Sequence, residues 1–121
     1  MAKKRVVIVD DSAAVARQLQ KILESSGFFE VVGHAKNGIE GLKLYTELKP
    51  DIVCMDIVMP QMDGLQTIRT LKGLDKQAKI VVISSAAGVG DKTMEALKFG
   101  AASVLSKPFD PVKVIETLSG L

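Results

Sequence analysis

Asp56 closes an apolar run, Ile52-Val53-Cys54-Met55, of the kind a fully buried parallel strand shows. Burying an unpaired carboxylate is costly, so this side chain must emerge into solvent, meet a cation or belong to a site. Two more carboxylates, Asp10 and Asp11, follow a similar run at Val6 to Val9. Three acidic side chains from two neighbouring strand ends would repel one another and raise at least one pKa unless a cation bound among them. Their oxygens form a hard donor set that suits magnesium, which takes one or two carboxylates together with waters and phosphate oxygens. Ser84 and Lys107 end two later apolar runs and offer a hydroxyl donor and a compact positive charge, the complement a phosphoryl group needs. The chemistry uniting the set is nucleophilic. The Asp56 carboxylate attacks phosphorus and becomes an acyl phosphate, while magnesium and Lys107 screen the approach of one anion to another.

Elements of two periods must position these residues. Arg5 to Val9 predicts a first strand, and Val15, Leu19, Ile22 and Leu23 then repeat at helical spacing between Ser12 as N-cap and Gly27 as the residue past the end. Glu30 to Ala35 predicts a second strand. Asn37 with Glu40 resembles a capping box, opening a helix that turns Leu42, Tyr45 and Leu48 inward and stops at Pro50. Ile52 to Met55 is the third strand, followed by a Met59-Pro60 turn and a short helix with Leu65, Ile68 and Leu71 inward. Lys79 to Ser84 is the fourth strand, and Ala86 to Gly90 is a small-residue loop able to move. A fourth helix, from about Asp91 to Phe99, is expected to bury Met94 and Leu97. Ser103 to Leu105 makes a short fifth strand, and Asp110 and Pro111 open a last helix burying Val112, Ile115 and Leu118. Five strands alternating with five helices imply an α/β fold, a doubly wound five-stranded parallel sheet with helices on both faces. Ligands bind such sheets at the carboxyl ends of the strands, where the strand order reverses. Those ends carry Asp10-Asp11, Asp56, Ser84 and Lys107.

With 121 residues, 47% of them hydrophobic, the chain is expected to form one domain spanning 1–121. Charges are interspersed and sum to +2, which gives no footprint for nucleic acid or an anionic membrane. The apolar segment before Asp10 is far too short for a signal peptide or a membrane span, so a cytoplasmic location and a monomer are expected. A lone cysteine, Cys54, excludes an internal disulfide and reads as a small core residue. His34, the one histidine, has no motif around it and reads as an ordinary strand-end side chain.

The motifs Val9-Asp10-Asp11, Met55-Asp56, Met59-Pro60-Gln61-Met62-Asp63-Gly64, Ser84-Ser85-Ala86 and Lys107-Pro108-Phe109 agree in order and spacing with one family. The chain resembles the receiver domains of two-component response regulators, and among them the stand-alone CheY-like regulators of chemotaxis. That resemblance implies a flavodoxin-like sheet of order 2-1-3-4-5. It implies Asp56 as phosphoacceptor, Asp11, Asp56 and the backbone carbonyl of Val58 as magnesium ligands, and Asp10 acting through water. It gives Ser84 the switch hydroxyl, Lys107 the phosphate contact, and the Lys107-Pro108 bond a cis geometry. The implied partners are a histidine kinase, as phosphohistidine donor, and a downstream protein such as a flagellar motor switch protein.

Two features depart from the family pattern. Val104 stands where an aromatic switch residue is common, so any output must work without an aromatic rotamer. Val58 and Ala86 lack a polar group that would orient an attacking water, so slow self-hydrolysis of the acyl phosphate is expected. Other readings are a phosphorelay intermediate, a receiver cut from a larger regulator, or, in a different class, a flavodoxin-like cofactor binder. Against the last, Asp10-Asp11 would repel a cofactor phosphate unless a cation bridged them. A haloacid dehalogenase-type hydrolase would need an aspartate at Val58. A docking module that has lost phosphorylation would not keep the full set of Asp10, Asp11, Asp56, Ser84 and Lys107. Ending at Leu121, the chain as given leaves no room for an output domain, so it is expected to act by binding a partner.

Overall fold

The apolar runs form strands, and the segments of helical period fold back over them. The computed structural model describes residues 2–57, 64–85 and 90–121. Among these, strands and helices alternate as β1 (Lys4–Val9), α1 (Ala13–Ser25), β2 (Phe29–Ala35), α2 (Gly38–Leu48), β3 (Ile52–Asp56), α3 (Gly64–Leu74), β4 (Ile80–Ser85), α4 (Gly90–Lys98), β5 (Ser103–Lys107) and α5 (Pro111–Ser119). Every pairing is parallel and the order is β2-β1-β3-β4-β5. The expected fold class and strand order are therefore observed. The turn at Met59-Pro60 and the loop from Ala86 to 89 lie outside the described residues.

Alternation along the strands divides the core into two layers. Val6, Ile8, Ile52, Cys54, Val81, Ile83 and Leu105 face α1 and α5, where Leu19, Leu23, Val114 and Leu118 cover them. Val7, Val9, Val53, Met55, Ile80 and Val82 face the other way, against Ile68 and Leu71 of α3 and Ala96 of α4. Burial on both faces explains why the strands read as unbroken apolar runs instead of alternating ones. From β1 the chain winds outward to β2, then returns past β1 to β3. The reversal leaves a crevice between the carboxyl ends of β1 and β3, at Asp10-Asp11 and Asp56.

Local signals fix most element ends. The Ser12 hydroxyl accepts from the Val15 amide, Asn37 Oδ1 from the Glu40 amide, and Asp110 Oδ1 from the Val112 amide. Glu40 reaches back to the Lys36 amide, one residue before the partner a capping box would use. α2 ends through Lys49, which takes a left-handed φ of 47°, before Pro50 is reached. Gly27 turns out of the α1 end with φ 80°, and Lys107-Pro108 is cis as expected.

Two helices depart, one wholly and one in part, from the buried set their spacing suggested. On α4, Met94 and Leu97 are 58% and 40% exposed, and Ala96 occupies the buried position. This helix lies close enough to the sheet for the small side chain to make the contact. On α5, Val112 is 65% exposed while Val114 and Leu118 are buried. The Val112, Ile115, Leu118 spacing and the Val114, Leu118 spacing both suit a helix; the second stripe enters the core, with Ile115 packed against its edge. β2 carries an irregularity. Val6 pairs with Val31 but Val7 with Gly33, so Val32 is an extra residue in the ladder.

Candidate functional site

Strand parity brings the charged residues to one side of the sheet. Asp10 continues the row of Val6 and Ile8, Asp56 that of Ile52 and Cys54, and Lys107 that of Leu105, all on the α1/α5 face. Ligand oxygens of Asp10, Asp11 and Asp56 lie within 4.8 Å of one another. Lys107 Nζ is 3.9 Å from Asp10 Oδ2 and 4.0 Å from Asp56 Oδ2. Both separations are ion pairs, too long for hydrogen bonds. Asp10 is fully buried, Asp56 is 8% exposed and Asp11 is exposed.

Asp10 is held at several points. Its amide donates to the Ala35 carbonyl at 2.9 Å. Its Oδ1 accepts from the Ser12 amide at 2.8 Å. Oδ2, also buried, has no hydrogen-bond partner among the described residues. Loss of water around the charge pushes the Asp10 pKa up, against the opposing pull of the Ser12 amide and Lys107. A buried carboxylate oxygen left unsatisfied, with two further carboxylates beside it, fits a small hard cation. Magnesium would be held by Asp10, Asp11 and Asp56.

Ser84 is buried at 6% exposure, one residue beyond Ile83, the ladder partner of Asp56. It continues the row of Ile80 and Val82, which belongs to the face opposite that of Asp56. The structure therefore gathers four of the expected site residues and sets Ser84 at the next strand end. Val58 and Ala86 lie outside the described residues. Val104 is half-buried on β5 opposite Val82. Gly64 has a steric reason to be glycine. A Cβ there would come to 2.5 Å from both the Asp56 carbonyl oxygen and Ile57 Cα, backbone atoms that cannot step aside.

The sequence reading missed a contact of His34. Its Nε2 lies 2.8 Å from the Asp10 carbonyl oxygen. Nothing in the residues around His34 signals this, because the contact depends on the irregular β2 ladder.

The comparisons with known proteins meet this geometry from outside. A family model described as the response regulator receiver domain matches residues 6–119. The chain is a response regulator receiver domain. This receiver domain is 47% identical to the chemotaxis protein CheY of Thermotoga maritima over 116 residues, covering 96% of this chain and 95% of that one. It is 39% identical to CheY of Bacillus subtilis, covering 95% and 94%. Among solved structures it is similar to a chain of the CheX-CheY-BeF3-Mg2+ complex of Borrelia burgdorferi. The TM-score there is 0.88 at 34% identity, covering 97% of this chain and 87% of that one. A receiver domain is a signalling switch rather than an enzyme with a separate substrate, and its acidic pocket generally takes magnesium.

Proposed function

We propose that the receiver domain accepts a phosphoryl group from a phosphohistidine of a partner histidine kinase onto Asp56, with magnesium, and thereby switches a protein-binding surface in chemotaxis. The observation that carries this reading is the cluster of Asp10, Asp11 and Asp56 with Lys107 within 4.0 Å of two of them. When bound, magnesium supplies a positive charge that draws phosphoryl oxygens and offsets the repulsion among the carboxylates. Asp56 Oδ forms the new P–O bond as the P–N bond to the donor imidazole breaks. The electron pair stays on the departing nitrogen, which takes up a proton. Lys107, half-buried and already between Asp10 and Asp56, keeps a compact charge where phosphoryl oxygens arrive.

The added group brings negative charge and strong acceptors to one point. The Ser84 hydroxyl, at the end of β4, donates to it and draws the segment leading to α4. Val104 cannot follow with an aromatic rotamer, so the output face formed by α4, β5 and α5 responds through its backbone and packing. The protein acts in the cytoplasm as a monomer, and its target is a partner such as a flagellar motor switch protein. The acyl phosphate decays slowly, since Val58 and Ala86 offer no polar group to orient water.

Incubation with magnesium and acetyl phosphate, followed by intact mass, tests the reading. One phosphoryl adduct is expected in the wild type and none in Asp56→Ala or without magnesium. An unmodified wild type, or an adduct that survives Asp56→Ala, overturns it.

A further inference from the structure

A carbonyl oxygen carries no hydrogen, so the 2.8 Å contact between His34 Nε2 and the Asp10 carbonyl means that Nε2 holds the proton and donates. The extra residue at Val32 makes this contact possible. Beyond it, Gly33 pairs with Val7, His34 with Ile8 and Ala35 with Val9. Val7, Val9 and Ala35 belong to the α2/α3/α4 face and Ile8 to the α1/α5 face. His34 therefore lies in the row of Ile8, the row that Asp10 extends. Uninterrupted alternation from Val32 would have turned it to the opposite face. Gly33 permits the arrangement, since a Cβ there would press on Leu48 and Leu44 at 3.1 and 3.3 Å. Bulges recur beside functional sites because they re-aim a side chain.

The Asp10 carbonyl belongs to the peptide plane that leads into Asp11. Holding that oxygen fixes the plane and with it the direction from which the Asp11 side chain departs. Asp11 is the member of the acidic trio most in need of such help. It is exposed, and no hydrogen bond to its carboxylate is found among the described residues, whereas Asp10 is pinned through its amide and Oδ1. We infer that His34 is a positioning residue for the metal site: by donating from Nε2 to the Asp10 carbonyl it orients the Asp10-Asp11 peptide and presents the Asp11 carboxylate to the cation. The inference rests on the reading of the acidic cluster as a magnesium site. In this role His34 acts through the Asp10-Asp11 peptide and not as a ligand.

Three variants separate this role from a merely structural one. His34→Phe keeps a ring but has no donor, and His34→Val keeps a β-branched strand residue without one. His34→Gln restores an N–H donor at similar reach. Magnesium binding is measured by isothermal titration calorimetry. Partners one step behind metal ligands cost tenfold or more when removed. Here the link runs through a peptide, so the dissociation constant is expected to rise on the order of three- to tenfold in the Phe and Val variants and to return near the wild-type value in the Gln variant. Loss of a positive charge from an imidazolium would tighten cation binding, so the sign of the change distinguishes positioning from charge. The rate of Asp56 phosphorylation by acetyl phosphate should fall at limiting magnesium and recover at saturating magnesium. Wild-type affinity in both donor-less variants, with magnesium bound normally by the wild type, overturns the role of His34 alone. A wild type that binds no magnesium overturns the metal reading and this inference together.

Discussion

With no part of Asp10 exposed, its carboxylate loses the water that would stabilise its charge, and the Ser12 amide and a lysine nearly 4 Å away offset that loss in part. Its pKa is raised chiefly for that reason. At neutral pH the folded protein holds a charge that the unfolded chain carries more comfortably, which lowers stability. Asp10→Asn should therefore stabilise the metal-free protein near neutral pH by about 1 to 2 kcal/mol, the scale of one poorly satisfied buried polar group. The sign with pH follows from the raised value. As pH falls through the folded pKa toward 3.8, the native state takes up a proton before the unfolded state does, and the wild type regains what it lost. Below that window both states are protonated and the advantage of the asparagine disappears. Urea melts of both proteins across this range check the prediction. A variant no more stable than wild type at neutral pH counts against the assigned cost. Magnesium binding, conversely, should be weaker in Asp10→Asn. The residue is then one whose cost in the fold is offset by its use in the site.

On the α2/α3/α4 face, helices are tied to each other as well as to the sheet. The Tyr45 hydroxyl of α2 donates to Asp75 Oδ2 just past α3 at 2.7 Å, and Asp75 Oδ1 accepts from the Gln77 amide. Partial burial, then the bond to Asp75, pushes the Tyr45 pKa up to about 12, while the same bond holds Asp75 below the usual carboxylate range. The unfolded tyrosine ionises first, so stability should fall as pH rises from 10 toward 12, and Tyr45→Phe should lack that slope. With one tyrosine and no tryptophan in the chain, near-ultraviolet absorbance reports this group alone. At about pH 11 the folded protein should keep Tyr45 mostly protonated while the denatured chain is mostly ionised. Half-ionisation near the ordinary tyrosine value in the folded state would remove the tie. Element existence and order were legible because the apolar runs, caps and glycines agree with one another. Which helical stripe is buried was not legible on α4 and α5, where two spacings fit and neighbouring elements choose between them. Nor was the bulge at Val32, since Val31, Val32 and Gly33 carry no register signal of their own. The acidic site was legible because charge at the end of a buried strand needs a reason, but the parity that sets Ser84 apart from Asp56 appears only in the pairing.

At the scale of the whole molecule, folding assembles a crevice whose charges oppose it. Asp10 and Asp11 arrive from β1 and Asp56 from β3, strands brought together by the reversal in order, and their oxygens converge within 4.8 Å. The unfolded chain keeps Asp56 apart from Asp10 and Asp11, and all three hydrated. A divalent cation that binds the converged set and not the dispersed one must stabilise the fold by mass action. At free magnesium about a hundredfold above its dissociation constant the gain is roughly 2.7 kcal/mol. For a domain of this size that raises the thermal midpoint by roughly 10 °C. The same repulsion predicts the behaviour of the variants. Asp56→Asn should melt higher than wild type without magnesium, because one of three converging charges is gone, and should gain less when magnesium is added. Differential scanning calorimetry with and without magnesium reads both quantities. A magnesium-dependent rise of equal size in the wild type and in Asp56→Asn would mean that the cation binds elsewhere. A smaller rise on a higher starting midpoint would place the cation among these oxygens, with the metal-free fold held below its attainable stability by the charges that bind it.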